Sequence, residues 1–191
     1  MTHLLPADGR ASLNEDDRIC KASQSIGNVT FPRLRADAGS TLVLRYREGG
    51  HISLSSRRPE KLSAGTVSVY GTSEPVADER IINVHLVWNA NGTGGNSQGR
   101  LLARASFDDG ICFENNGSPL SMLRQHKLPP ESTPDTGGHV ICTLMAPIPT
   151  GLRNGSLFTL YWVWDWPSIQ PSTDELGKAE LYTTCIDIEI G

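Results

Sequence analysis

The stretch Leu157-Phe158-Thr159-Leu160-Tyr161-Trp162-Val163-Trp164-Asp165-Trp166-Pro167 holds three of the chain's four tryptophans, and it constrains the fold more than any other. A period of two puts Phe158, Leu160, Trp162, Trp164 and Trp166 on one face and Thr159, Tyr161, Val163 and Asp165 on the other, the pattern of a buried centre strand. A second strand pattern closes the chain from Ala179 to Ile190. There Tyr182, Thr184, Ile186, Ile188 and Ile190 share a face, opposite Thr183, Cys185, Asp187 and Glu189. Glu180 and Tyr182 stand at its entry end, on the core-facing side but at the rim, where a polar group reaches both core and solvent. That rim is the first candidate site.

A chain of 191 residues without a composition break reads as one domain over 1–191. Apolar content of 38%, with 19 Gly and 12 Pro punctuating short runs, indicates a β-rich globular protein. The net charge is −4, and basic residues cluster only at Arg57-Arg58, with Arg33, Arg35, Arg45 and Arg47 scattered nearby. Nucleic acid and anionic membranes are therefore not expected partners. No apolar run is long enough to span a bilayer. Four cysteines, none in a Cys-x-x-Cys spacing, read as two disulfides rather than as a metal site. Asn28, Asn91, Asn116 and Asn154 each open an N-glycosylation acceptor in a turn-like stretch. Together with paired cysteines they predict a secreted protein, although Met1 to Gly9 does not have the pattern of a signal peptide.

Strands are predicted at Thr41 to Arg47, His51 to Ser55, Thr66 to Thr72, Ile81 to Trp88, Leu101 to Phe107, Ile111 to Phe113 and Val140 to Ala146, ahead of the closing pair. In Ile81 to Trp88, the face Ile82, Val84, Leu86 and Trp88 alternates with Asn83 and His85. Many short strands at regular spacing, with no ten-residue helical pattern, predict an all-β fold: an antiparallel β-sandwich of immunoglobulin or fibronectin type, with long loops and two disulfides. The acidic cluster Asn14-Glu15-Asp16-Asp17 reads as a solvated loop or short turn. The glycine-rich Asn89 to Arg100 reads as a hairpin connection, since it lacks the Gly-Lys-Ser/Thr ending of a phosphate loop. Gln125 to Gly138 reads as a surface loop.

Of the five histidines, His51 follows a Gly-Gly turn at a strand edge, where a metal ligand needs to be. His85 is expected on a polar strand face, and His126 and His139 in surface loops. No His-Glu-x-x-His or Gly-x-Ser-x-Gly motif supports zinc or serine hydrolysis. Paired-carboxylate hydrolysis would need a second acid facing Glu180, and Asp165, Asp187 and Glu189 are equal candidates.

Glu-x-Tyr-x-x-Cys opening the final strand, Trp-x-Trp shortly before it, and Gly50-His51 earlier resemble the fungal lytic polysaccharide monooxygenases, secreted copper enzymes that oxidatively cleave crystalline polysaccharide. More closely, Met-Thr-His-Leu-Leu-Pro, Val-Tyr-Gly-Thr-Ser-Glu-Pro, Gly-Arg-Leu-Leu-Ala and the tryptophan strand resemble an uncharacterised fungal secreted domain family related to them. The resemblance implies one copper ion in a histidine brace, in which an N-terminal His supplies two nitrogens and an internal His the third, with a Tyr axial; such nitrogen sets suit Cu(II). Carried over by position, His51 is the internal brace ligand, Tyr182 the axial ligand, and Glu180 the residue beside the reactive oxygen species. Cys185 matches a cysteine bonded to one about thirty residues ahead of the internal His, which implies Cys20–Cys185 and leaves Cys112–Cys142. The implied partner is a polysaccharide of the chitin or cellulose class, handled by a monomer. The family begins at a His exposed by processing, and the related domain carries further residues before the stretch that matches Met1. On that expectation this chain is a shortened form, inactive without the missing His. The alternative is a secreted, non-catalytic carbohydrate- or copper-binding sandwich. His51 and Tyr182 are expected to converge at one edge of the sandwich.

Overall fold

In a computed structural model, residues 3–24, 33–128, 137–169 and 177–191 are described. The strands are β1 (His3–Leu5), β2 (Leu34–Ala36), β3 (Thr41–Tyr46), β4 (Thr66–Thr72), β5 (Gly99–Ser106), β6 (Cys142–Pro147), β7 (Leu157–Asp165) and β8 (Leu181–Ile190). One sheet runs β1-β8-β7-β4-β5, with β2 also pairing β8; β3 and β6 form a second, two-stranded sheet. All pairings are antiparallel except β2 with β8. The fold is an antiparallel β-sandwich.

β7 is the centre strand that its alternation predicts, and it is buried on both faces. Phe158, Leu160, Trp162, Trp164 and Trp166 join Leu42, Leu44 and Tyr46 of β3 and Leu144 of β6 in the core between the sheets. Tyr161 and Val163, on the other face, pack with Leu5, Ile19, Tyr70, Ile81, Val84, Trp88 and Leu181 in a second core. The N-terminal segment covers that face. It is stapled there by the Cys20–Cys185 disulfide and by a hydrogen bond from the Thr183 hydroxyl to the Ile19 carbonyl. The Cys112–Cys142 disulfide anchors β6, so both pairings implied by the resemblance are present.

Three predicted strands differ. His51 to Ser55 is a series of turns, and Ile111 to Phe113 contributes only an isolated bridge from Phe113 to Val140. Ile81 to Trp88 begins as a short helix, α1 (Ile81–Val84). Ile81, Val84 and Trp88 are all buried, and their i, i+3, i+7 spacing is helical. Val84 and Trp88 fit both the alternating face with Ile82 and the helical spacing from Ile81, so alternation alone does not separate the two. Leu86 is consequently exposed rather than core-facing. A helix that the polar composition concealed, α2 (Pro119–Lys127), carries His126; Ser118 caps it by accepting from the Ser121 amide at 3.1 Å, with proline in the first turn.

Candidate functional site

The site grows from the end of β7. Trp164 and Trp166 lie on one face, their rings stacked at 5.1 Å. Their indole N–H groups donate to consecutive carbonyls, Ala64 and Ser63, both at 2.8 Å. This brings the segment ahead of β4 tightly onto the sheet. At Gly65 (φ +82°) a Cβ would stand 2.5 Å from the Asp165 carbonyl, so only glycine fits the turn.

His51 packs edge-on against both indoles, with ring centroids 5.0 Å from Trp164 and 4.8 Å from Trp166. Tyr182 stacks on Trp164 at 4.9 Å. The imidazole and the phenol therefore share one indole at the same end of the sheet.

Glu48 decides why residues 51–55 turn instead of extending. Its carboxylate is 1% exposed and accepts from the Ile52 amide (2.7 Å), the Ser53 amide (3.2 Å), the Glu114 amide (2.9 Å) and the Ser53 hydroxyl. Backbone N–H groups captured by a buried carboxylate are not available to a strand ladder. Gly49 and Gly50, both at positive φ, let the chain fold back over Glu48. The Glu48 carbonyl accepts from the His51 amide and lies 2.7 Å from His51 Nδ1. This contact makes Nδ1 the protonated nitrogen and leaves the Nε2 lone pair without a partner among the described residues.

Glu180 lies between two donors. The Tyr182 hydroxyl donates to its Oε1 and Lys61 Nζ to its Oε2, both at 2.7 Å. Burial works to raise the Glu180 pKa, but these hydrogen bonds and the Lys61 and Arg58 charges outweigh it and lower it below its ordinary value. Burial, reinforced by the hydrogen bond to Glu180 and its charge, raises the Tyr182 pKa, so the phenol stays protonated. Lys61 Nζ lies 4.1 Å from the centroid of the Trp166 ring and the Arg58 guanidinium carbon 5.2 Å. Beside this cluster a cavity of about 380 Å³ is lined by His51, Arg58, Lys61, Asp108, Leu120 and Trp166, among others. A separate cleft lined by Glu74, Gln98, Arg100 and Pro149 contains none of the candidate residues.

The other candidates lie apart. His85 is buried rather than on a polar surface: its Nδ1 is 3.2 Å from the Tyr70 hydroxyl and its Nε2 3.3 Å from Asp165. His3 pairs with Thr183, one residue from Tyr182, so alternation turns it to the opposite face. His139 Nδ1 accepts from the Asn115 amide. None of these lines the cavity, and neither does His126. Asp165, Asp187 and Glu189 are engaged with His85, Thr159 and Arg35, and none of the three pairs with Glu180. Asp109, Cys112 and Cys142 bring potential ligand atoms together. The two sulfurs are bonded to each other, however, and Asp109 accepts from the Ile111, Cys112 and Thr143 amides, so the group is structural. Asn91, Asn116 and Asn154 are exposed; Asn28 lies outside the described residues.

Sequence reasoning missed Glu48 and Lys61. A carboxylate just before Gly-Gly-His is a usable signal for the first, because only such a turn returns the following amides to it. Lys61 meets Glu180 across 119 positions, and no local pattern announces that.

The molecule is thus a disulfide-stapled β-sandwich with a His-Tyr-Glu-Lys cluster at one end. It belongs to the family described as domain of unknown function DUF7492, whose model matches residues 1–191. A search of the curated proteins finds no match. Two disulfides are compatible with an extracellular protein. No helix among the described residues is long and apolar enough to cross a membrane.

Proposed function

We propose that this protein is a secreted relative of the lytic polysaccharide monooxygenases, a monomer that uses one copper ion to cleave a polysaccharide of the chitin or cellulose class oxidatively. The observation that carries this reading is the setting of His51: its Nδ1 is tied to the Glu48 carbonyl and its Nε2, beside a cavity, has no partner among the described residues. A metal-ligating imidazole is commonly fixed in this way through its other nitrogen. With copper bound, His51 would supply a nitrogen ligand and Tyr182, which shares Trp164 with it, an oxygen ligand. Bound copper would supply oxygen activation with an external reductant. The protein's own groups do the rest. Glu180, held ionised by Lys61 and Tyr182, fixes a negative charge behind Lys61, which lines the cavity. Tyr182 keeps its proton, and Glu48 holds the loop that presents the imidazole. Among the described residues, Asn91 and Asn154 are the accessible glycan sites under this reading, while the Asn116 side-chain nitrogen donates to the Ser53 hydroxyl at 2.7 Å.

The fit to copper is partial. The described residues offer one imidazole nitrogen at the cavity, whereas a histidine brace takes three nitrogens. That single nitrogen favours a second reading, a non-catalytic carbohydrate- or copper-binding sandwich. Titration of Cu(II), followed by calorimetry and electron paramagnetic resonance, should give one bound ion that His51→Ala loses. Unchanged binding in the variant would refute the metal assignment. Incubation of the copper-loaded protein with polysaccharide and ascorbate then separates the two readings: oxidised oligosaccharides mark the enzyme, and binding without them marks the alternative.

A further inference from the structure

We propose that the cavity beside His51 takes an acidic sugar, a ring bearing a carboxylate or sulfate, with Arg58 as its principal anchor and Arg57 as a second. The inference rests on the reading of this cavity as a polysaccharide site but departs from it in the class of sugar, acidic in place of chitin- or cellulose-like; the arginines need no metal to act.

The charge balance around the cavity motivates it. With a net charge of −4, the protein as a whole repels anions, so an anionic ligand needs a local device. The carboxylates at the cavity of His51 are already engaged. Glu180 is taken up by Lys61 and Tyr182, and Asp108 by Arg124 at 2.8 Å. Lys61 is spent on the same pairing, its side chain only 4% exposed. Arg57 and Arg58, by contrast, are exposed and form no ion pair among the described residues. Glu60 lines an adjoining pocket of about 270 Å³ together with both arginines, yet pairs with neither. That pocket shares Arg58 with the cavity of His51, so the two adjoin at this residue.

Arg58 is also held in place. Its guanidinium carbon stands 5.2 Å from the centroid of the buried Trp166 ring, the same indole that positions His51 and Lys61. An arginine resting on an aromatic face loses less freedom when it pairs with an anion, and its planar fork matches a carboxylate or sulfate edge bidentately. Ser55, Ser56 and Ser63 line the cavity with hydroxyls suited to sugar hydroxyls, and Leu62 and Leu120 offer apolar surface for a ring face. A neutral sugar seated there would cover the guanidinium without replacing its water, which costs affinity; an acidic sugar replaces it.

Calorimetric titration of the metal-free 191-residue protein at low salt, with tetragalacturonate, a chondroitin sulfate tetrasaccharide and cellotetraose as separate probes, tests the proposal. At least one acidic probe should bind about tenfold or more tightly than cellotetraose, with the preference shrinking at high salt. Galacturonate alone would identify a uronate site, and the sulfated probe alone a sulfate site. Arg58→Ala should bring the favoured acidic probe to within about twofold of cellotetraose, Arg57→Ala should lose less, and Arg58→Lys should keep part of the preference. Arg104→Ala, an exposed change on the edge strand β5, should match the parent. The proposal is overturned if neither acidic probe outcompetes cellotetraose, including the case in which none binds, or if Arg58→Ala behaves as Arg104→Ala does. Acid preference without copper binding would sink the metal assignment alone; copper binding without acid preference would sink this proposal alone.

Discussion

Two histidines sit near the same end of β7, on opposite faces of the sheet, and they are used differently. His85, on the face covered by the N-terminal segment, has both ring nitrogens engaged, by Tyr70 and Asp165, and is almost sealed from solvent. His51, on the tryptophan face, has one nitrogen engaged by a backbone carbonyl and lines an open cavity. A ring with both nitrogens satisfied is a structural part. A ring with one nitrogen fixed and the other unpartnered can take a ligand. Neighbouring residues of one strand make the difference: Asp165 points to one histidine, while Trp164 and Trp166 hold the other.

The largest expected effect falls on the support of His51 rather than on the ring itself. Glu48→Ala leaves four donors without their acceptor and should cost about 3–5 kcal/mol in urea unfolding. A loss under about 1 kcal/mol would mean that the loop holds itself without the carboxylate. His85→Ala should come next, at about 2–3 kcal/mol, because it removes two hydrogen bonds and buried packing, yet it should leave Cu(II) affinity unchanged. His51→Ala should reverse that pattern, with about 1 kcal/mol or less of stability and loss of copper binding. If both variants behave alike in both measurements, the contrast between the faces is gone.

A smaller effect concerns Glu180. Its folded pKa is depressed below its ordinary value of 4.5, so its contribution is present above that pH and is lost as the pH falls through the folded value. Tyr182→Phe removes one of the two donors and should lower stability at neutral pH by about 1 kcal/mol or less, while flattening the loss between pH 4.5 and more acid conditions. Urea unfolding at a series of pH values measures this, and an unaltered pH profile would show that Lys61 alone sets the charge on Glu180.

Legibility in the sequence followed the range of the interactions. β4, β7 and β8 lie close to their predicted spans because alternation over several residues records burial on a fixed face. The segments from His51 and Ile81 depart from the strands that their local pattern predicts. In the first, a side chain takes the backbone hydrogen bonds; in the second, a short apolar run fits two periods. The resemblance named His51, Tyr182 and Glu180, and the fold sets them at one end of the sheet. It could not supply Lys61, whose role depends on a meeting between distant segments.

What this chain determined by itself is the frame: a tryptophan-bearing centre strand, a closing strand beside it, an even set of cysteines and the glycines that turn the loops. Each follows from local spacing, which survives without knowledge of partners. Only the tertiary structure decided that His85 is a buried strut, that Glu48 shapes the His51 loop, and that Arg58 rests on Trp166 beside an open cavity with no ion pair among the described residues. Those outcomes depend on which distant groups meet and which charges are already spent when they do, and neither is written in spacing along the chain.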